Sequence, residues 1–163
     1  MRLNRNGDTR FLDPSHPAVL DLGRQDITRI CDWGFELIKH DYTTCDVFGT
    51  WGFLMRLFPA DGGWHFHDQS KTSAEIMLEL YRTIRSAAGD RLILGCNTIG
   101  HFGAGLMELS RTGDDTSGIV WERTRRMGVN ALAARQPQNH VFFDVDPDCV
   151  GITEKVDWKY NNM

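Results

Sequence analysis

The strongest constraint on this chain is an alternation of short apolar runs with stretches of helical spacing, each run ending in polar or small residues. Phe35-Glu36-Leu37-Ile38-Lys39 reads as a strand that ends at His40-Asp41. Arg91-Leu92-Ile93-Leu94-Gly95-Cys96 is a continuous apolar run of the kind found where both faces of a sheet are covered. Met107-Glu108-Leu109-Ser110 and Val141-Phe142-Phe143 read as a third and a fourth strand. Helical patterns fill the intervals. Pro17 suits the first turn of a helix that runs to about Trp33. Thr72 and Glu75 form a capping box at the head of a helix over 72–88, with Ile76, Met77, Leu80, Tyr81 and Ile84 on one stripe and Gly89 as its stop. Residues 118–134 keep helical spacing in spite of Gly128 and Asn130, and Thr153 to Lys159 starts a further helix. Strands and helices alternating at this spacing predict an α/β fold, with parallel strands joined by crossover helices.

Composition narrows the function. Eighteen Lys and Arg against 22 Asp and Glu give a net charge of −4, whereas a duplex binder needs a phosphate-neutralising surface. No nucleic-acid partner is expected. The apolar runs are a few residues long, too short to span a membrane. The cysteines at 31, 45, 96 and 149 lack the two-residue spacing of a zinc or redox motif, and are expected to be reduced and mostly buried. MRLNRNGDTR at the N-terminus has no apolar core of a secretory signal, which makes a cytoplasmic location the default expectation.

Polar groups at the C-terminal ends of parallel strands are where α/β proteins place their chemistry. Asp41 follows Lys39 by two positions, so the two share a face of the strand, and a cation beside a carboxylate favours the ionised form that a nucleophile needs. Asp114 and Asp115 lie two strand–helix units further on. In a barrel, alternate strands sit on the same side of the axis, so carboxylates at their ends can face each other as a glycosidase pair. Helix capping is the competing reading of Asp115, since Asp115-Thr116-Ser117 precedes a helical stretch. His65, His67 and Asp68 could join His40, Asp41 or His101 around a divalent metal, but the glycines and polar residues flanking them say loop, where the spacing sets no common face. Asp144-Val145-Asp146-Pro147-Asp148 opens like a calcium loop and then fails, with Cys149 at the sixth position and Lys155 at the twelfth. Aromatic residues crowd 42–66, Trp51 among them, and such rings can stack on sugar faces or fold over a small core of their own.

Three of these segments, in order, resemble a known family. Lys39-His40-Asp41 resembles the Lys-x-Asp strand end of clan D α-galactosidases and α-N-acetylgalactosaminidases. Cys96-Asn97 resembles their Cys-x segment, and Arg111-Thr112-Gly113-Asp114-Asp115 resembles their Arg-x-x-x-Asp motif. The resemblance covers about 33–150. It implies a (β/α)8 TIM barrel in which the strands read above are strands 4 to 7, with Asp41 as nucleophile and Asp115 as acid/base of a retaining double displacement. Lys39 and Arg111 are implied to hold sugar hydroxyls, Cys96 and Asn97 to lie near the 2-position, and Trp51 is a candidate stacking residue. The implied partner is a carbohydrate carrying terminal α-galactose, or N-acetylgalactosamine if Asn97 and Gly100 leave room for the acetamido group. The family uses no metal and no cofactor. A complete barrel takes about 250 residues, so the 163 residues are expected to be a single partial-barrel catalytic domain of a longer chain, with open edges that favour self-association. The competing expectations are a catalytically silent carbohydrate-binding half-barrel and, behind it, a metal-dependent hydrolase.

Overall fold

The computed structural model describes residues 12–41, 65–96, 98–116, 118 and 120–148. Helix α1, Pro17–Asp32, begins where the ring Nδ1 of His16 accepts from the Ala18 N–H at 3.2 Å and Pro17 presets the first turn. Strand β1, Leu37–His40, follows. Helix α2, Ser73–Ala88, has Thr72 as its cap, and the reciprocal bonds with Glu75 are both present. Its chain reverses at Gly89, whose φ of +60° an L side chain rarely adopts. Strand β2 is Leu92–Gly95 and strand β3 is Leu109–Arg111. Helix α3 is composite, α-helical over Trp121–Arg123 and Ala131–Arg135 and π-wound over Thr124–Asn130. Strand β4 is Asp144–Asp146.

The four strands form one parallel sheet in the order β1-β2-β3-β4. Sequential order without a reversal is the winding of a barrel, because each right-handed crossover then returns its helix to the same side. Side-chain period decides which residues meet those helices. Ile38 and Ile93 pair across β1 and β2 and point into a core made with Cys31 of α1 and Ile76, Met77, Tyr81, Ile84 and Ala88 of α2. Ser110 sits opposite Gly95 on that same side and is met by Arg135 of α3. The opposite face begins with Leu37 opposite Leu92, 51% and 47% exposed, as residues lining the inside of a partial barrel are. The chain therefore folds as four parallel strands and their helices, an α/β arrangement matching part of a TIM barrel.

The expected boundaries hold to within a few residues for α1, β1, α2, β2 and β3. The fourth strand is a correction. Val141 and Phe142 form a turn, 70% and 45% exposed, and the strand is the polar triplet that follows them. That triplet is held by its ladder to β3, with Asp144 N–H donating to the Glu108 carbonyl at 2.8 Å and Thr112 N–H to the Asp146 carbonyl at 2.9 Å. Only Phe143 of the apolar run is buried, and the Asn139 side-chain oxygen accepts from the Val145 N–H at 3.0 Å to close the turn. The helix expected from Thr153 lies outside the described residues.

Candidate active site

The barrel-facing side chains stand in cross-strand rows. Above Leu37 and Leu92 lies the row Lys39, Leu94, Leu109 and Asp144, each in register with the next. The next row up is polar. Cys96 N–H still donates to the His40 carbonyl at 2.8 Å, which carries the β1–β2 register one step further, to Asp41 beside Cys96. Cys96 in turn follows Gly95, the partner of Ser110, and so stands beside Arg111, and Arg111 is in register with Asp146. Asp41, Cys96, Arg111 and Asp146 thus form one line along the C-terminal edge of the sheet.

Contacts within the line are direct. The Lys39 ammonium is 3.3 Å from Asp41 Oδ2. Asp41 also accepts from the Cys96 thiol, whose pKa is pushed up to about 11, chiefly by burial and further by that carboxylate. Lys39 is held above its ordinary value, first by the Cys96 sulfur when that thiol ionises and then by Asp41. His40, between them, points the other way. Half-buried, it packs edge-on against the Tyr81 ring at 5.9 Å, and the loss of solvent lowers its pKa to about 4, so the imidazole is neutral at pH 7. Burial likewise pushes the Tyr81 phenol up to about 12, and its oxygen accepts from the Ile99 N–H at 2.9 Å.

Arg111 is the centre of the site. Its side chain is 7% exposed and meets three carboxylates: Nε to Asp146 Oδ2 at 3.0 Å, Nη2 to Asp148 Oδ1 at 3.0 Å, and Nη1 to Asp115 Oδ1 at 3.3 Å. Burial works against the guanidinium charge, and the hydrogen bond to Asp146 with the neighbouring carboxylates outweighs it. Asp148 uses its second oxygen to accept from the Thr116 N–H at 2.7 Å, so one carboxylate ties the end of β4 to the loop after β3.

That loop separates the two adjacent aspartates. Asp114 pairs with Arg123 of α3 at 2.8 Å and accepts from the Asp115 N–H at 2.8 Å. Asp115 turns towards Arg111 with its side chain 70% exposed. The loop can lie this close to α3 because residue 113 is glycine: a Cβ there would stand 2.4 Å from the Met127 carbonyl oxygen, inside the π-wound segment.

Of the residues picked out from sequence, Lys39, Asp41, Cys96, Arg111 and Asp115 are brought to one edge, while Asn97 and Trp51 lie outside the described residues. The histidine pair is elsewhere. The His67 ring lies 4.6 Å from that of His16, tilted at 45°, beside the start of α1, the His67 backbone N–H donates to buried Asp13 at 2.7 Å, and the His65 ring nitrogen meets the neighbouring Phe66 carbonyl. Among the described residues no group of three or more His, Cys, Asp or Glu is placed to hold a metal ion. Sequence reasoning missed Asp146 and Asp148, which it read as a failed calcium loop. The signal present was their period-2 spacing, which is also the spacing that lets a strand end aim two carboxylates at one neighbour.

Among solved structures the chain is similar to TtGalA, an α-galactosidase from Thermus thermophilus. The complex with stachyose gives a TM-score of 0.57 at 19% identity over 90% of this chain and 30% of that one. The complex with p-nitrophenyl α-D-galactopyranoside gives 0.60 at 17% identity over 90% and 29%. This likeness is one of fold, and the chain spans less than a third of that enzyme's length. No family model and no curated protein sequence matches the chain.

Proposed function

We propose that the chain carries the catalytic edge of a retaining glycoside hydrolase acting on terminal α-linked galactose or N-acetylgalactosamine. The observation that supports this best is the polar row itself: a nucleophile-type carboxylate with a cation beside it on β1, and a second carboxylate held by Arg111 at the end of β3. In the proposed reaction a carboxylate oxygen of Asp41 attacks the anomeric carbon while the bond to the leaving oxygen breaks. Asp115 gives that oxygen its proton. Asp115, now ionised, takes a proton from water, and the water oxygen displaces Asp41 and releases the sugar with its original configuration. Lys39 and Arg111 hold sugar hydroxyls and stabilise charge on Asp41. The neutral Cys96 thiol offers a donor close to Asp41. The fold likeness to an α-galactosidase observed with two galactosides supports the sugar.

The deciding experiment is hydrolysis of p-nitrophenyl α-D-galactopyranoside by the full chain, with Asp41→Asn and Asp115→Asn alongside. Turnover that Asp41→Asn abolishes, with the ligand still bound, supports the reading. Turnover unchanged by Asp41→Asn overturns it. Binding of galactose without turnover in the unsubstituted chain supports the carbohydrate-binding alternative.

A further inference from the structure

Helix α3 ends in a cation placed behind the catalytic edge. Arg135 reaches under β3, where Nη1 donates to the carbonyl of Arg111 at 2.7 Å and to that of Thr112 at 3.3 Å, and Nη2 to the Ser110 hydroxyl at 3.3 Å. Its Nε donates to the Gln138 side-chain oxygen at 2.9 Å, and the guanidinium lies 5.4 Å from the centre of the Phe143 ring. All four acceptors are neutral oxygens, and among the described residues no carboxylate pairs with it. Such a charge is costly to place in a partly dry site, since burial opposes the charged form and lowers its pKa. A leucine or methionine would fill the same space without that cost. What only a guanidinium supplies here is a rigid fork that grips two consecutive main-chain carbonyls and a side-chain hydroxyl at one strand end.

We infer that Arg135 is a positioning residue for the site: by gripping the backbone carbonyls of Arg111 and Thr112 and the Ser110 hydroxyl it fixes the point from which the Arg111 side chain reaches its three carboxylates. Arg111 is thereby held twice, through its guanidinium by Asp115, Asp146 and Asp148 and through its carbonyl by Arg135. The contribution of Gly100 is independent of this and agrees with it. A Cβ at that position would stand 2.4 Å from Arg135 Nη2, so the segment after β2 is cut away just where the guanidinium passes. The segment after β2, the end of β3 and the residue before β4 all converge on this one group. The consequence for catalysis rests on the proposed glycosidase reading, and the effect on Arg111 does not.

The test separates the two. The 15N-labelled full chain is followed through the Arg111 side-chain Nε–H resonance and its exchange with solvent, with the Ile93 backbone amide as the measure of core integrity. Losing charge-assisted bonds at the strand end raises Arg111 Nε–H exchange about tenfold in Arg135→Met, while Ile93 stays protected, and Arg135→Lys recovers part of the loss. Gly100→Ala, which displaces the guanidinium without altering it, gives the same increase, and the double variant is no worse than Arg135→Met alone. Unchanged Arg111 exchange with Ile93 protected overturns the inference, as does full additivity of the two substitutions. If Arg135→Met fails to fold, Gly100→Ala decides alone: exchange at the unsubstituted rate overturns the inference. In parallel, p-nitrophenyl α-D-galactopyranoside turnover falls in Arg135→Met with kcat affected more than KM, and is partly rescued by Lys. No turnover in the unsubstituted chain overturns the glycosidase reading and leaves the exchange result to judge Arg135.

Discussion

Arg111 and Asp146 face each other in register across β3 and β4, and the Arg111 Nε donates to Asp146 Oδ2 at 3.0 Å. One contact therefore does two things: it closes the last rung of a short strand pair and it orients the cation that holds Asp115. Removing the cation leaves Asp146 and Asp148 close together with no counter-charge among the described residues. Arg111→Met is expected to destabilise the chain by about 3–5 kcal/mol, the cost of breaking a buried pair from one side. Arg111→Lys keeps the charge, loses the fork, and is expected to cost about 1–2 kcal/mol. Urea unfolding followed by circular dichroism checks both, and an Arg111→Met within 0.5 kcal/mol of the unsubstituted chain would show the cluster to be solvated rather than structural.

Two glycines make opposite predictions. At Gly113 a methyl group would press on the Met127 carbonyl oxygen, which is backbone and cannot swing aside. Gly113→Ala is expected to cost about 1–3 kcal/mol, as overpacking does, and to shift the loop that carries Asp115. At Gly23, inside α1, nothing lies within 4 Å of the added carbon. Gly23→Ala is expected to add about 0.5–1 kcal/mol by improving helix propensity. Thermal midpoints of the two variants moving in the same direction would contradict the packing described at one of the positions.

The parts of this fold that sequence discloses are those whose causes are local. The box between Thr72 and Glu75, the stop at Gly89 and the apolar stripe of α2 all lie within a few turns, and the helix sits where they place it. Lys39 and Asp41 could be paired from strand period alone. Strand β4 was out of reach for the opposite reason. Two of its three residues are aspartates, which are poor strand formers, and they are extended because Glu108, Arg111 and Thr112 on and beside the neighbouring strand bind them, more than 30 residues away. The apolar run at 141–143 then drew the prediction three residues early. Arg135 illustrates the same limit, since an arginine near the end of an amphipathic helix reads as solvent-facing until the strand it grips is known.

His40 predicts a pH dependence of stability. Burial against Tyr81 lowers its pKa from the ordinary 6.5 to about 4, so between those values the unfolded chain binds a proton that the folded chain does not. Unfolding is then favoured as pH falls. The contribution is complete above about pH 7, declines through the window from 6.5 to 4, and is gone below it, with a ceiling of ~3 kcal/mol. His40→Gln should flatten this part of the profile. Urea midpoints at pH 7.5, 6, 5 and 4 measure it, and equal slopes for the two proteins would mean that His40 is not the group responsible.

Cys96 makes the most direct chemical prediction for the site. Alkylating reagents react with thiolate, and a thiol at about 11 has roughly 100-fold less thiolate at pH 8 than one at the ordinary 9.0. The residue is also almost fully buried, with Asp41 as its acceptor. Iodoacetamide at pH 8 is therefore expected to leave Cys96 unmodified in the native chain on a timescale that alkylates it fully in urea, with site occupancy read by peptide mass mapping. Asp41→Asn removes the negative charge that disfavours the thiolate while the Lys39 and Arg111 cations remain, so it should raise the native rate. The increase should be modest, because burial is the larger cause of the shift and is unchanged. A native rate for the unsubstituted chain within a few-fold of the unfolded one would place Cys96 in solvent and separate it from Asp41, and the polar row would lose its second member.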